Sequence, residues 1–334
     1  MKTKAIVFTA PEKAELMEVE LPGLRAGEIL VRSTASGVSV GTERWALQGR
    51  RPEMKFPLIT GYLGVGVVEE TGDGVQDFHA GDRVFTTAAR HLEPYQSNSW
   101  LGTHCEHLVV STTCGVDWPP YVCKIPDPVD DASAAMAGLA SVSIQGADML
   151  KVTAHDTAVV LGLGMIGQAS VQVLRAKGAR VIGADISRMR VDAALRTGCD
   201  QAVQLAADAP IKQQLAGLLP AAGADIVVDT TAAPSVLLQL AELVKMRGQI
   251  LFQGYYPGKT VLDLDALHGR RPTLHIACAF DVESHRQAHR LLGSGGLKLA
   301  PLITHHPSAR DAAAIYQMLL HNSDEFLGIV FHWN

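Results

Sequence analysis

A glycine-rich turn between an apolar run and a helical pattern constrains the fold of this chain more than any other segment. Gly162, Gly164 and Gly167 have the spacing G-x-G-x-x-G, they follow the apolar run 158–161, and the next apolar run ends on Asp185. The first glycine permits a tight turn, the second lets backbone N–H groups approach a pyrophosphate, and the third lets a helix pack close to a sheet. The pattern predicts a dinucleotide site; a βα turn that binds nothing is the competing interpretation.

Asp185 predicts which nucleotide is bound, because a carboxylate there accepts hydrogen bonds from a ribose diol and repels a 2′-phosphate. We therefore expect NAD, while NADP stays open because Arg188 and Arg190 follow closely. Further candidates follow later strands, and ordinary loop packing is the competing interpretation for Thr230 and Tyr255. The expected cofactor-binding residues are Gly162, Gly164, Met165, Ile166, Gly167, Asp185, Ile186, Ser187, Arg190, Thr230, Gly254 and Tyr255.

Length and composition exclude several classes of function. The chain has 334 residues, enough for two domains, and a net charge of −5 with no basic cluster, so we expect no nucleic-acid partner. No run reaches the roughly 18 uninterrupted apolar residues of a membrane span, so we expect no membrane partner. The five cysteines form no disulfide pattern, and the start of the chain lacks a signal-peptide core. We expect a cytoplasmic protein that acts on a small molecule.

The order of the predicted elements indicates two domains. Residues 1 to about 125 are rich in short β-branched runs separated by turn residues, whereas strands and helices alternate from residue 157 onward. The alternating part predicts a doubly wound parallel sheet of six strands, at 158–161, 180–184, 201–204, 226–229, 249–253 and 274–277. It also predicts helices at 168–177, 188–197, 211–219 and 234–244. The tail adds two helices and a last strand. We expect a β-rich domain from 1–138 and 280–334, and a dinucleotide-binding domain from 139–279.

Several motifs outside the glycine-rich turn resemble one family. The chain is similar to the medium-chain dehydrogenases/reductases, and within them to the bacteriochlorophyllide hydroxyethyl dehydrogenase branch. The segments that carry this resemblance are 36–43, 57–62, 81–84, 254–256, 295–299 and 302–305. The resemblance implies an α/β protein with a GroES-like β-rich catalytic domain and a Rossmann domain, assembled as a homodimer. It also implies that Arg190 lies next to the adenosine.

The resemblance also implies where a catalytic zinc ion would bind. The family's Cys, His and Glu positions are occupied by Ser39, Tyr62 and Leu63, and the third-ligand region 137–139 offers no donor. The four-cysteine lobe of zinc-dependent members is missing as well. Zinc requires nitrogen, sulfur or carboxylate donors. We therefore expect a zinc-independent member with no metal-binding residues.

Without zinc, a hydrogen-bond donor or a general acid/base must act on the substrate oxygen. Matching to the family motifs selects five candidate catalytic residues: Ser39, Thr42, Glu43, Tyr62 and His104. Three of them have a competing interpretation. Tyr62 fills the space that zinc leaves, His104 is a satisfied pocket histidine, and Glu43 caps a helix or pairs with Arg44 or Arg51. A metal site at residues 104–107 is disfavoured, because His104 and His107 on one strand point to opposite faces.

These observations leave three functions open. The first is a zinc-independent, NAD(H)-dependent dehydrogenase of a secondary alcohol or polyol-like substrate. The second is a reductase of activated C=C bonds in quinones or enones, as in other zinc-free branches of the family. The third is a protein that binds NADH without catalysis, because a fold alone does not dictate a function.

Overall fold

The computed structural model describes residues 1–51, 53–95, 101–113, 121–256, 259–277, 281–321 and 325–333. The chain forms two compact units. The first contains Met1–Gly138, Asp281–Gly293 and Ile303–Asn334, and the second contains Leu139–Phe280 and Ser294–Leu302. Within the described ranges, no helix is long and apolar enough to cross a membrane.

The first half of the chain is mainly strand. Its elements are β1 (Lys2–Ala10), β2 (Lys13–Glu20), β3 (Glu28–Gly37), α1 (Val40–Leu47), β4 (Leu58–Ile59), β5 (Gly64–Thr71), β6 (Arg83–Thr86), β7 (His107–Ser111), β8 (Val122–Lys124) and α2 (Asp131–Met149). Strands β2, β1 and β4 form a small sheet. Strands β3, β5, β6 and β8 pair antiparallel in a larger sheet, and β7 also pairs with β3.

The second half alternates strands and helices. Its elements are β9 (Thr157–Leu161), α3 (Met165–Ala176), β10 (Arg180–Asp185), α4 (Arg188–Thr197), β11 (Gln201–Gln204), α5 (Ile211–Gln214), β12 (Ala224–Asp229), α6 (Pro234–Leu237), α7 (Leu240–Leu243), β13 (Val244–Phe252), α8 (Leu264–Arg270) and β14 (Thr273–Ile276). The tail returns through α9 (Val282–Gly293), β15 (Ile303–His305), α10 (Ala312–His321) and β16 (Gly328–His332), with short 3₁₀ helices at Ala300–Leu302 and Ala309–Asp311. Strand β16 pairs with β3, so the end of the chain completes the larger sheet of the first unit.

The sheet of the second unit is parallel, in the order β11-β10-β9-β12-β13-β14. Every residue of its central strand β9 is buried, as expected where helices cover both faces of a parallel sheet. The order reverses between β9 and β12, which defines a switch point at the carboxyl ends of these strands. The predicted doubly wound sheet of six strands is confirmed.

Two predicted helices are shorter in the structure. The helix expected over 211–219 is α-helical only in α5, and the one expected over 234–244 divides into α6 and α7. The division occurs because Gln239 N donates to Val236 O, three residues back, which interrupts the α-helical pattern. Leu237, Leu240 and Leu243 are nevertheless buried. Apolar periodicity therefore indicates which side chains face the core, but not whether the backbone hydrogen bonds are continuous.

The segment Ser294–Leu302 joins the second unit, whereas the sequence analysis groups residues 280–334 with the first. Its attachment is a pair of hydrogen bonds across to α3. Lys298 N donates to Gln172 Oε1 at 2.8 Å, and Gln172 Nε2 donates to Lys298 O at 3.2 Å. The other domain boundaries stay predictions.

Candidate active site

The turn between β9 and α3 has the conformation that its glycines predict. Gly162 has a φ of +85°, in the left-handed region that favours glycine. A Cβ on Gly167 would lie 1.9 Å from Gly162 O, so α3 packs against the turn only without a side chain there. A Cβ on Gly164 would meet nothing within 4 Å. The backbone at Gly164 is therefore open to a ligand at the N-terminal end of α3, as pyrophosphate binding requires.

Asp185, at the end of β10, stabilises this turn through hydrogen bonds to its carboxylate. Oδ2 accepts a hydrogen bond from Leu163 N at 2.6 Å, and Oδ1 accepts one from Ser187 N at 2.8 Å. Arg190 Nη1 lies 3.9 Å from Oδ2. Each carboxylate oxygen has a second lone pair, so the group can still accept a hydrogen bond from a ribose hydroxyl. The same side chain therefore shapes the turn and offers a binding group beside it.

The remaining candidate cofactor-binding residues differ in their hydrogen bonds and in their exposure to solvent. Thr230 Oγ1 lies 2.9 Å from Gly162 O and 3.1 Å from Leu161 O, so its hydroxyl ties the end of β12 to the glycine-rich turn. A Cβ on Gly254 would lie 2.9 Å from Ala232 N, which explains the glycine by close backbone approach. Ile186 and Tyr255 are exposed, Ile166 is half-buried and Met165 is buried. Ile186 and Tyr255 thus present apolar surface to solvent, whereas Thr230 stabilises the glycine-rich turn through its hydroxyl hydrogen bonds.

Three candidate catalytic hydroxyl groups meet in the first unit. Ser39 is the N-cap of α1, a helix that the sequence analysis does not predict. Tyr62 Oη donates a hydrogen bond to Ser39 Oγ at 2.5 Å, and Thr42 Oγ1 lies 3.5 Å from Tyr62 Oη. Burial raises the pKa of the Tyr62 phenol above its usual value. Tyr62 is therefore protonated near pH 7, and its hydroxyl is a hydrogen-bond donor.

Glu43 and His104 form a pair without exposed surface. His104 Nε2 lies 3.0 Å from Glu43 Oε2, and Tyr316 Oη donates to the same carboxylate oxygen. The other oxygen, Oε1, accepts a hydrogen bond from Ser39 N at 2.8 Å. Burial, and then the charge of Glu43, raise the pKa of Tyr316 well above its usual value. The Glu43 carboxylate thus gathers donors from α1, α10 and the loop that carries His104.

Both ring nitrogens of His104 have hydrogen-bond partners. Trp333 Nε1 donates to Ser36 Oγ at 2.9 Å, and Ser36 Oγ lies 2.7 Å from His104 Nδ1. If the Ser36 hydroxyl donates to Nδ1, then Nε2–H donates to Glu43 and every group has a partner of the right kind. In this arrangement both ring nitrogens are engaged and the ring is closed off from solvent.

The structure also shows which groups contact Glu43. Glu43 does cap a helix, because it accepts the N–H of the N-cap residue Ser39. The expected arginine partners bind elsewhere: Arg44 Nη2 donates to Leu320 O, and Arg51 pairs with Glu53. His104, Tyr316 and Ser39 surround the carboxylate instead. The sequence analysis does not anticipate the contribution of Ser36, nor those of Tyr316 and Trp333, which lie far from Glu43 in the chain.

The residues at the family's catalytic zinc positions do not fit a zinc ion. Ser39 and Tyr62 bond to each other, and Leu63, which has no donor atom, is fully buried. A Cβ on Gly138 would lie 2.4 Å from Leu63 Cδ2, so the leucine side chain fills the space beside the third-ligand region. These three positions offer neither the nitrogen and sulfur donors that zinc requires nor free space beside Leu63.

A different cluster, which the sequence analysis does not recognise, lies between β8 and α9. Cys123 lies on β8, and His285 and His289 lie one turn apart on α9; their ligand atoms are all within 4.8 Å of one another. Burial lowers the pKa of His285 well below its usual value and that of His289 to about 4, so both rings are neutral near pH 7. The sequence analysis, which expects no metal-binding residues, does not anticipate this geometry. The His-x-x-x-His spacing was the only signal for it in the sequence.

Comparisons with known proteins agree with this architecture. Two family models match: an alcohol dehydrogenase GroES-like domain over residues 25–120, and a zinc-binding dehydrogenase over residues 165–294. The chain is 26% identical to 2-desacetyl-2-hydroxyethyl bacteriochlorophyllide A dehydrogenase of Cereibacter sphaeroides, over 100% of this chain and 99% of that protein. It is 32% identical to an alcohol dehydrogenase of Geobacillus stearothermophilus, over 63% of this chain and 65% of that protein.

A solved structure gives the same result for the fold. A short chain alcohol dehydrogenase from Escherichia coli, complexed with NADH, matches with a TM-score of 0.85 at 22% identity, over 99% of both chains. The fold is thus that of a GroES-like domain combined with a Rossmann domain, as predicted. The chain belongs to the medium-chain dehydrogenase/reductase family, and it is an oxidoreductase of the alcohol dehydrogenase type.

Proposed function

We propose that this oxidoreductase is a zinc-independent, NAD(H)-dependent dehydrogenase that interconverts a secondary alcohol and a ketone. The observation that carries the proposal is the chain of hydroxyl groups from Tyr62 to Ser39 at the position of the family's zinc, beside the buried Leu63. Substrates of this class include polyols, sugars and hydroxyethyl side chains. The names of the relatives from Cereibacter sphaeroides and Geobacillus stearothermophilus, a hydroxyethyl dehydrogenase and an alcohol dehydrogenase, support an alcohol substrate.

The second unit supplies the cofactor site in this proposal. The open backbone at Gly164 receives the pyrophosphate, and the Asp185 carboxylate accepts the ribose hydroxyls. Arg190, 3.9 Å from Asp185, lies beside the adenosine. When bound, the nicotinamide supplies or accepts the hydride. NAD is preferred to NADP, because a 2′-phosphate would approach the Asp185 carboxylate.

The first unit supplies the group that acts on the substrate oxygen. In the direction of ketone reduction, Tyr62 Oη turns from Ser39 to the carbonyl oxygen and donates a hydrogen bond to it. As negative charge develops on the carbonyl oxygen, that oxygen accepts the phenolic proton from Tyr62. The hydroxyls of Ser39 and Thr42 then stabilise the phenolate by hydrogen bonds. Oxidation of the alcohol runs through the same positions in reverse. Tyr62 is therefore the catalytic residue of the proposal.

His104 and Glu43 are assigned a positioning role. Both are fully buried, and His104 reaches Ser39 only through Glu43, whose Oε1 accepts the Ser39 N–H. The pair thereby holds the start of α1, which carries Ser39 and Thr42. This differs from the direct catalytic role that the sequence analysis considers for His104.

The proposal includes a homodimer formed through β14. This strand lies at the edge of the six-stranded sheet, and it exposes Leu274 at 41% and Ile276 at 71%. An exposed apolar edge strand is a template for pairing with a second copy. We further propose a small-molecule substrate, no nucleic-acid or membrane partner, and a cytoplasmic location, supported by the net charge of −5 and the buried thiols Cys105, Cys123 and Cys199.

Activity assays on chelator-treated protein test the proposal. The protein is treated with EDTA and assayed for NAD reduction over secondary alcohols, polyols, sugars and chlorin hydroxyethyl derivatives. In parallel, NADH and NADPH oxidation is followed with ketones, enones and quinones. We expect alcohol and ketone turnover that survives EDTA. Turnover of enones or quinones alone would identify the C=C reductase instead, NADH binding without any turnover would identify a non-catalytic binder, and activity restored only by zinc would contradict zinc independence.

A further inference from the structure

The cluster of Cys123, His285 and His289 has no part in the proposed reaction. The three side chains are 7%, 0% and 2% exposed. They come from two elements that are far apart in the chain, β8 and α9, both within the first unit. The ring of Phe85 stacks on His285 with centroids 4.0 Å apart, and the two histidine rings meet edge to face at 4.5 Å. The cluster is thus shielded from bulk solvent and packed against the aromatic ring of Phe85.

The donor atoms of the cluster suit a metal ion. A cation with bonds of 2.0–2.3 Å holds its ligands about 3.4–3.8 Å apart, which small side-chain rotations reach from a spread within 4.8 Å. His289 Nε2 is enclosed and has no hydrogen-bond partner among the described residues. A buried polar atom without a partner is unfavourable, and a metal bond would satisfy it. One thiol and two neutral imidazoles form a soft donor set.

We propose that Cys123, His285 and His289 bind one thiophilic, closed-shell cation, Cu(I) or Zn(II), in a structural site that links β8 to α9. The metal–sulfur bond forms as the Cys123 thiol releases its proton to solvent. This site is built from other residues than the family's catalytic zinc site, whose positions are Ser39, Tyr62 and Leu63. It is therefore compatible with zinc-independent catalysis.

The charges around the cluster favour Cu(I) over Zn(II). The Cys123 thiolate is its one anionic ligand, so Cu(I) gives a neutral site and Zn(II) leaves a net charge of +1 in a buried place. The guanidinium of Arg83 already acts on His289 as a neighbouring cation. A further positive charge is disfavoured there.

Metal titration of the full-length protein tests the proposal. Reduced protein, stripped of metal by chelation, is titrated anaerobically with Cu(I) against a coloured Cu(I) chelator, and separately with Zn(II). We expect wild type to bind one ion per chain, and Cys123→Ala to bind at least about tenfold more weakly. The matched control is Cys199→Ala, which removes a buried thiol in the second unit and should bind as wild type does. The metal that wild type retains against the stronger competitor identifies the native ion.

Cobalt spectroscopy gives a readout that needs no variant. Co(II), a substitute for zinc, should produce a thiolate-to-cobalt charge-transfer band in wild type, and the band should be missing in Cys123→Ala. If Cys123→Ala does not fold, the wild-type band and its stoichiometry decide. A wild type that binds no ion and shows no band, or a Cys123→Ala variant that binds as wild type does, would overturn the proposal. Because the activity assays use EDTA-treated protein, failure here leaves the proposed reaction intact.

Discussion

The glycine-rich turn of the second unit and the hydroxyl cluster of the first unit are made in different ways. The turn is made of backbone: Gly162, Gly164 and Gly167 lie within six consecutive residues, and their missing side chains create the site. The hydroxyl cluster is made of side chains, and its support comes from residues as distant as Glu43 and Tyr316, which are 273 positions apart.

This difference explains what each region tolerates. In the turn, a substitution acts through steric exclusion, either of the ligand or of neighbouring backbone. In the cluster, a substitution leaves a partner without its hydrogen bond, and the cost depends on how deeply that partner is buried. The two regions should therefore respond differently to single substitutions, and four predictions test this contrast.

The largest effect is expected in the turn, at Gly164. Gly164→Val should abolish NADH binding with little change in the melting temperature, because its Cβ meets no protein atom but occupies the pyrophosphate's approach. Gly167→Val is the matched variant: its Cβ would lie 1.9 Å from Gly162 O, so it should lower the melting temperature as well. Calorimetric NADH titration and thermal unfolding separate the two. Gly164→Val with wild-type affinity would show that this turn is not the cofactor site.

The next largest effect is expected at Tyr62. Tyr62→Phe should lower kcat by about 10²–10⁴, the range for loss of a general acid/base, with NADH affinity unchanged. Thr42→Val is the milder comparison, because Thr42 Oγ1 is 3.5 Å from the phenol and only assists it. If Tyr62→Phe keeps kcat within a few-fold of wild type, the phenol merely fills the space of the missing zinc.

The pH dependence of ketone reduction sharpens this prediction. Burial raises the pKa of Tyr62, so the protonated phenol that donates to the carbonyl persists to higher pH than a free tyrosine would. The rate should show no rise with pH of the kind that a tyrosinate base would cause, and it should fall only above about pH 10. A rate that increases through this range would make the phenolate the active form.

The third prediction concerns Asp185, whose side-chain carboxylate accepts a hydrogen bond from the backbone of the glycine-rich turn. Asp185→Asn should shift the preference between NAD and NADP by about tenfold toward NADP, roughly 1.4 kcal/mol, because it removes the charge that repels a 2′-phosphate. The amide keeps an oxygen that can accept one of the two backbone N–H groups, from Leu163 or Ser187. The measurement is kcat/KM with each cofactor. A wild type that already prefers NADP would contradict this role of Asp185.

The same contrast governs what the sequence alone can predict. The six parallel strands and the conformation at Gly162 follow from local patterns, because buried strands read as apolar runs and a tight turn demands glycine. The sequence does not predict helix α1, because its residues fall within a segment that carries the family resemblance. The side chain of the N-cap residue Ser39 bonds to Tyr62 rather than to the backbone of the helix. The partners of Glu43 and the Cys123 cluster were missed because no local pattern records which distant side chains a fold brings together.

The last prediction concerns stability rather than activity, and it compares two tyrosine–carboxylate pairs, one in each unit. Tyr316 is fully buried and donates to Glu43, whereas the half-buried Tyr256 donates to Asp229. Tyr316→Phe should lower the free energy of unfolding by about 2 kcal/mol, because no water replaces the lost donor to a buried carboxylate. Tyr256→Phe should cost less than about 1 kcal/mol, because the tyrosine is partly exposed and the buried Asp229 keeps hydrogen bonds from Thr231 N and Oγ1. Urea unfolding of both variants measures the difference. Equal losses would mean that burial of the donor does not set the cost.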